Sequence, residues 1–259
     1  MAILSSLAIA MLTGEGIRRM AAREEMMARI RAALGRSLSD GPRVPSFDPS
    51  ALPELGQVMP PILSSDIIPT FVLEFEKVST KVWRATSLPE FDAILSELVK
   101  ARMAGSAVVS RNPLLQRLSL TDRLKNLGVD ALVWPNTEVS PEAERLFRDR
   151  CFSAPIGFTG VDYALAETGS LVASSLTEGA QLASLAPPVH VAIVLESQIV
   201  ATLEEVLAGV AIAPPRSPGR SVVFITGTSR TADIEQIVVL GVHGPQEVHA
   251  ILIADACLG

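Results

Sequence analysis

From Pro69 onward the chain alternates helical patterns with short apolar runs, and few architectures accept that alternation. The spacing predicts a helix near Thr70 to Ser79, a strand Lys81 to Thr86, a helix Leu88 to Met103, a strand Ser106 to Ser110, a helix Pro113 to Leu127 and a strand Asp130 to Trp134. It continues with a helix Pro141 to Cys151, a strand Ile156 to Thr159, a short helix around Asp162 to Glu167, and strands Ser170 to Ser174 and His190 to Leu195. A helix Leu203 to Val210, a strand Ser221 to Thr226, a helix Ala232 to Val238 and a closing strand Glu247 to Ile253 complete the series. Helix then strand, repeated, describes an α/β domain whose mostly parallel sheet is joined by crossover helices. Hydrophobic residues at 48% against 19% charged, with a mean hydropathy of +0.37, agree with strands buried on both faces.

Upstream of that domain the pattern changes. Ile17, Met20, Met27, Ile30 and Leu34 recur among Arg and Glu, with Gly35 where a helix C-cap belongs, so residues 1–40 read as an amphipathic N-terminal helix or arm. Pro42, Pro45, Pro49, Pro53, Pro60, Pro61 and Pro69 then make residues 41–69 an extended linker. The α/β domain spans 70–259. The apolar run Met1 to Leu12 lacks a basic stretch before it, since Arg18 and Arg19 follow it, so it is not read as a secretory signal. No stretch of about 18 residues is apolar enough to cross a membrane, and the expected location is the cytoplasm.

A net charge of -6 argues against a nucleic-acid partner. Cys151 and Cys257 form no C-x-x-C pair, so the chain by itself cannot hold an iron–sulfur cluster or a zinc knuckle. They read as two buried thiols.

Ligands of a parallel sheet collect outside the carboxyl ends of its strands. In Thr226-Gly227-Thr228-Ser229-Arg230-Thr231-Ala232-Asp233 an apolar strand runs into four hydroxyls, a glycine and an arginine before the expected helix. Free backbone amides and Arg230 suit a small anion, phosphate or carboxylate. A plain helix cap by Ser229 or Thr231 is the competing reading. In Ala166-Glu167-Thr168-Gly169-Ser170 a glutamate stands at a turn, where it would serve as nucleophile, general base or positioning carboxylate, or simply as a solvated helix-terminal residue. His243, in Gly241-Val242-His243-Gly244-Pro245, is held in a rigid loop as a candidate catalytic imidazole, with Gly244 allowing close approach. His249 and Glu247 share one strand face, but no metal motif accompanies them, and His190, at the start of an apolar strand after Pro187 and Pro188, reads as a strand-edge residue rather than a catalyst. The candidate pocket therefore combines Glu167 and His243 as catalytic groups with Thr168, Gly169, Thr226, Gly227, Ser229, Arg230, Thr231, Asp233 and Gly244 as ligand-binding ones.

The order of Ala166 to Ser170, the stretch Ala183 to Leu195 with Pro187, Pro188 and His190, then Ile225 to Glu235 and Gly241 to Pro245, resembles the LUD domain family in its lactate utilization protein C (LutC) branch. The Arg- and Glu-rich N-terminal helix and the proline-rich linker are similar to that family too. Thr228 stands where the family usually has proline and Ser170 where it usually has threonine, changes that keep polarity. The resemblance implies a three-layer α/β/α sandwich of the NagB/RpiA/CoA-transferase-like kind. It also implies work beside two iron–sulfur partner proteins that oxidise L-lactate to pyruvate, this chain being the component without clusters. The alternative is a free-standing CoA-transferase-like or sugar-phosphate enzyme using Glu167. A homo-oligomer formed through the N-terminal helix is a further expectation.

Overall fold

The computed structural model describes residues 24–30, 32–33, 61–135, 140–212, 221–232, 238–241 and 243–258. The chain divides into two units, Met1–Pro60 and Pro61–Gly259. In the first, residues 24–30, 32 and 33 are helical; the rest of the expected arm, and the linker up to Pro60, lie outside the described residues.

In the second unit the elements run α1 (Ile67–Lys77), β1 (Lys81–Ala85), α2 (Leu88–Ala101), β2 (Ser106–Val109), α3 (Pro113–Arg117), α4 (Leu120–Asn126), β3 (Asp130–Val133), α5 (Pro141–Ser153) and β4 (Ile156–Thr159). They continue with β5 (Tyr163–Leu165), β6 (Ser170–Ser174), α6 (Ser175–Glu178), β7 (Val189–Leu195), β8 (Ile199–Val200) and α7 (Leu203–Ile212). The last are β9 (Val222–Ile225), β10 (Arg230–Ala232), β11 (Val238–Leu240) and β12 (Glu247–Ile253). Three helices begin on a polar cap and carry proline in their first turn. Ser87, Asn112 and Ser140 accept hydrogen bonds from the amides of Glu90, Leu114 and Ala143, which satisfies N–H groups that the helix itself leaves free.

Six strands form one sheet in the order β1-β12-β7-β4-β2-β3, and every pairing in it is parallel. One face carries Phe91, Leu95, Leu98, Leu115, Leu120 and Leu124 of α2 to α4 against Val109, Phe158, Val191 and Ile251. Over the other face, Phe71 and Phe75 of α1 pack with β5 and β6 on Ala192, Val194, Ala250 and Leu252. There α5 adds Phe147 and Cys151 against Val108. Three α/β/α layers result, the second flank being part helix and part sheet.

Three expectations are corrected. Pro113 to Leu127 is two helices, because Ser119 adopts the left-handed conformation (φ 48°). A straight helix would turn Leu118 and Leu120 about 200° apart; the break lets both be buried. Asp162 to Glu167 contains a strand, β5, paired antiparallel to β6 with Tyr163 opposite Val172. Ala164 and Leu165 are buried by that pairing. The expected helix Ala232 to Val238 begins and ends in strands, since Arg230, Thr231 and Ala232 pair antiparallel with Leu240, Val239 and Val238. Val238 and Val239 are β-branched and suit a strand better than a helix; residues 233–237 are outside the described set. As a consequence β5, β6, β8 and β9 form a separate four-stranded mixed sheet rather than extending the parallel one.

Phe91 is fully buried between α2 and the parallel sheet. Phe91→Ala is expected to cost about 3–5 kcal/mol of stability, measured as a lowered urea midpoint with an unchanged slope.

Candidate functional site

The four-stranded sheet brings two of the predicted segments together. β6 and β9 run antiparallel with Leu171 opposite Ile225, which sets Ser170 beside Thr226. Thr168 Oγ1 lies 2.7 Å from Ser170 Oγ, and Ser170 Oγ lies 2.6 Å from Thr226 Oγ1, a chain of three hydroxyls. Gly169 (φ +60°) and Gly227 (φ +85°) press this chain against the end of α1. A Cβ at Gly169 would sit 2.2 Å from the Phe75 amide nitrogen, and one at Gly227 would sit 2.7 Å from the Val78 carbonyl oxygen. Arg230 Nη2 donates to Ser79 Oγ at 2.9 Å, just past the same helix end.

The third segment joins through the backbone. Ser229 N–H donates to Pro245 O at 3.0 Å, and Gly241 N–H donates to Ser229 O at 2.8 Å. A Cβ on Gly244 would come 3.0 Å from Ser229 Cβ, so those two residues adjoin. His243 is exposed and lines a cavity of about 450 Å³ with Phe152, Leu182, Leu185, Pro188 and Gly244. This loop enters the amino end of β12, whereas the carboxyl-end rule pointed to the other edge of the sheet.

Glu167 stands apart from that group. Its Oε1 accepts the Leu203 amide at 2.7 Å, where α7 begins, and its own N–H donates to Ala201 O. The carboxylate closes a helix terminus. Thr231 lies in β10, and Asp233 is outside the described residues. With the expected helix absent at Ala232, any anion held by this loop depends on Arg230 and the hydroxyls, not on a helix N-terminus.

A different carboxylate occupies the carboxyl ends of β2 and β4. Glu178 is 1% exposed. Its Oε2 accepts Ser110 Oγ at 2.5 Å and the Gly160 amide at 3.1 Å, Asn112 Nδ2 donates to its Oε1, and its carbonyl takes the Arg111 amide. Thr177 Oγ1 donates to the neighbouring Asp162 carboxylate at 2.8 Å. Burial pushes the Glu178 carboxyl above the ordinary range. Hydrogen bonds from Ser110 and Asn112 pull it down, Asp162 pushes it up again, and Gly160 opposes the rise. Such a group holds a proton near neutrality more readily than an exposed glutamate. In the sequence Glu178 sits in a stretch without periodicity; the one available signal was Ser110 to Pro113 immediately after a strand.

Two histidines stay neutral. His190 is fully buried inside the sheet rather than at its border, with Nε2 2.8 Å from Thr159 Oγ1. Burial first, then His249, lowers its pKa to about 3. His190 Nδ1 and Thr228 Oγ1 are buried without partners among the described residues. His249 shares its strand face with Glu247 as expected, Nε2 lying 3.2 Å from Glu247 Oε2, and its Nδ1 accepts the Trp83 indole N–H. Among the described residues no three His, Cys, Asp or Glu side chains converge on a metal position, and no helix is long and apolar enough to cross a membrane.

Because the folded Glu178 carboxyl titrates above its unfolded value of 4.5, its contribution to stability is complete below pH 4.5 and is lost as pH rises through the folded pKa. Urea unfolding across pH 4 to 8 is expected to show the wild type losing stability relative to Glu178→Gln as pH increases. A constant difference across that range refutes the assignment.

Comparison with known proteins gives a consistent set of matches. A model of the LUD domain matches residues 68–253. A lactate utilization protein C of Halalkalibacterium halodurans is 28% identical over 90% of this chain and 98% of its own length. A Geobacillus protein of the same description is 31% identical over 66% of this chain and 71% of its own. The crystal structure of a DUF162 family protein from Deinococcus radiodurans is 21% identical, with a TM-score of 0.49 over 74% of this chain and 99% of that one.

Proposed function

This chain belongs to the LUD domain family, and from that premise we propose that it works in lactate utilization, as the cluster-free component of a cytoplasmic system that oxidises L-lactate to pyruvate. The observation that carries the reading is the match to a lactate utilization protein C along 90% of this chain and 98% of that relative. In this reading the two electrons removed from lactate pass to the clusters of the iron–sulfur partner proteins, and the two protons, from the hydroxyl and its carbon, are released to solvent.

The chain's own contribution is recognition. Arg230 is exposed and held by Ser79, just past the helix end against which the hydroxyl chain Thr168–Ser170–Thr226 is packed, and a guanidinium there suits a small carboxylate. The chemistry of its cysteines supports a role without clusters. The chain has two cysteines where a cluster takes four, and Cys151 is fully buried, with its thiol raised to about 12 by desolvation. Glu167, on which a free-standing CoA-transferase-like or sugar-phosphate enzyme would depend, is engaged with the Leu203 amide. No observation favours that second reading.

The test is reconstitution. The purified chain, combined with the iron–sulfur lactate-oxidation proteins, is expected to copurify with them and to be required for lactate-dependent pyruvate formation. A charge-assisted hydrogen bond contributes about 1.5–3 kcal/mol, so Arg230→Gln is expected to weaken lactate binding about tenfold or more. Pyruvate formation at the same rate with the chain omitted overturns the proposal.

A further inference from the structure

We propose that the pocket where β1 and β12 begin is a binding site for a planar organic monoanion, with Trp83 as its aromatic wall and Lys81 and Arg102 as its counter-charges. The cavity measures about 390 Å³, within the range of about 300–1,000 Å³ that accommodates small-molecule ligands. A three-carbon acid would leave most of it empty, so this site is distinct from the carboxylate reading of the Arg230 loop.

Parallel pairing builds the wall. β1 and β12 align Lys81 with His249 and Trp83 with Ile251, and alternation along β1 puts Lys81 and Trp83 on one face. Their side chains meet, Lys81 Nζ standing 3.6 Å from the centre of the indole ring. The ring is fixed at its other end, because the Trp83 indole N–H donates to His249 Nδ1 at 3.2 Å. His249 in turn points Nε2 at Glu247 Oε2, and Glu247 Oε1 pairs with Arg102. An ordered chain thus runs from an indole through an imidazole and a carboxylate to a guanidinium. A flat ligand stacks on this indole by displacing the Lys81 ammonium from its face, and the displaced ammonium is then placed to pair with the ligand's carboxylate.

The charges select its sign. Lys81 and Arg102 line the cavity against Glu97 and Glu247. Burial, with Lys81 and Arg102 nearby, lowers the His249 pKa to about 4, so its imidazole adds no charge at neutral pH. Within the lining the two cations are balanced by the two carboxylates, and a ligand carboxylate that takes the place of Glu247 on Arg102 keeps that balance. The Arg102–Glu247 pair is well exposed, at 38% and 40% for the two side chains. Exchange of Glu247 for a ligand carboxylate on Arg102 therefore has little desolvation to overcome.

The experiment follows the two indole N–H signals of the ¹⁵N-labelled full chain by NMR, with the Trp83 signal identified by its absence in Trp83→Phe. Benzoate and 2-naphthoate are the probes, with benzyl alcohol, sulfate and L-lactate as controls. Saturable movement of the Trp83 signal with both aromatic carboxylates is expected, tighter for the larger, with none from the three controls. Lys81→Gln and Arg102→Gln, both at exposed positions, are expected to weaken aromatic carboxylate binding about tenfold each while leaving the remaining spectrum folded. The absence of saturable Trp83 movement overturns the site. An equal response to benzyl alcohol removes the anion requirement, and an equal response to sulfate or L-lactate removes the aromatic one; either also overturns it. Because lactate binding at Arg230 is read separately, failure here leaves the lactate-utilization proposal standing or falling by its own assay.

Discussion

The pairing of β12 with β1 on one side and β7 on the other holds the molecule together. The last strand of the chain fills the position between the first strand and the middle of the sheet, aligning seven residues with β7 and five with β1. Val248, Ala250, Ile251, Leu252 and Ile253 are buried. A strand apolar on both faces is stable only between partners and under two covering layers. The helices that supply those layers fix where every candidate group can stand. The same insertion makes the contacts long in sequence, so the parallel sheet forms only after loops of great length have closed.

Chemistry divides between the two edges of this sheet. Beyond the carboxyl ends of β2 and β4 lies the Glu178 cluster, buried and supplied with donors from Ser110, Asn112, Gly160 and Thr177. Before the amino ends of β7 and β12 lie the loops carrying Ser229, Arg230, His243 and Gly244, together with the Trp83 pocket. The hairpin β10–β11 and the small sheet redirect the loop after β9 to this second edge. Exposed cations and hydroxyls there suit ligand capture, whereas the buried carboxylate at the first edge suits holding a proton.

Much of the fold was legible because the parallel strands leave a local signature. Val189 to Leu195 and Glu247 to Ile253 are nearly continuous apolar runs, and Ser87, Asn112 and Ser140 announce their helices by a polar cap before proline. The misread segments are those whose state is decided by a neighbour. Tyr163 to Leu165 is a three-residue strand that exists through its pairing with β6, and Arg230 to Ala232 is a strand through its pairing with β11. Of the candidate site, the hydroxyls and Arg230 were readable as a cluster of polar residues beside a glycine. Their attachment to Ser79, and the diversion of Glu167 to the start of α7, were not.

The sequence by itself determined the helix–strand alternation, hence the parallel sheet with helices on its flanks, because period, capping and composition act over a few neighbouring residues. Only the tertiary structure decided which polar groups meet. Glu178 reaches Ser110 across 68 positions, Trp83 reaches His249 across 166, and Arg230 reaches Ser79 across 151. Hydrogen bonds and charges of this kind depend on strand order and on burial. Both are set by how the layers pack, and no local pattern along the chain encodes them.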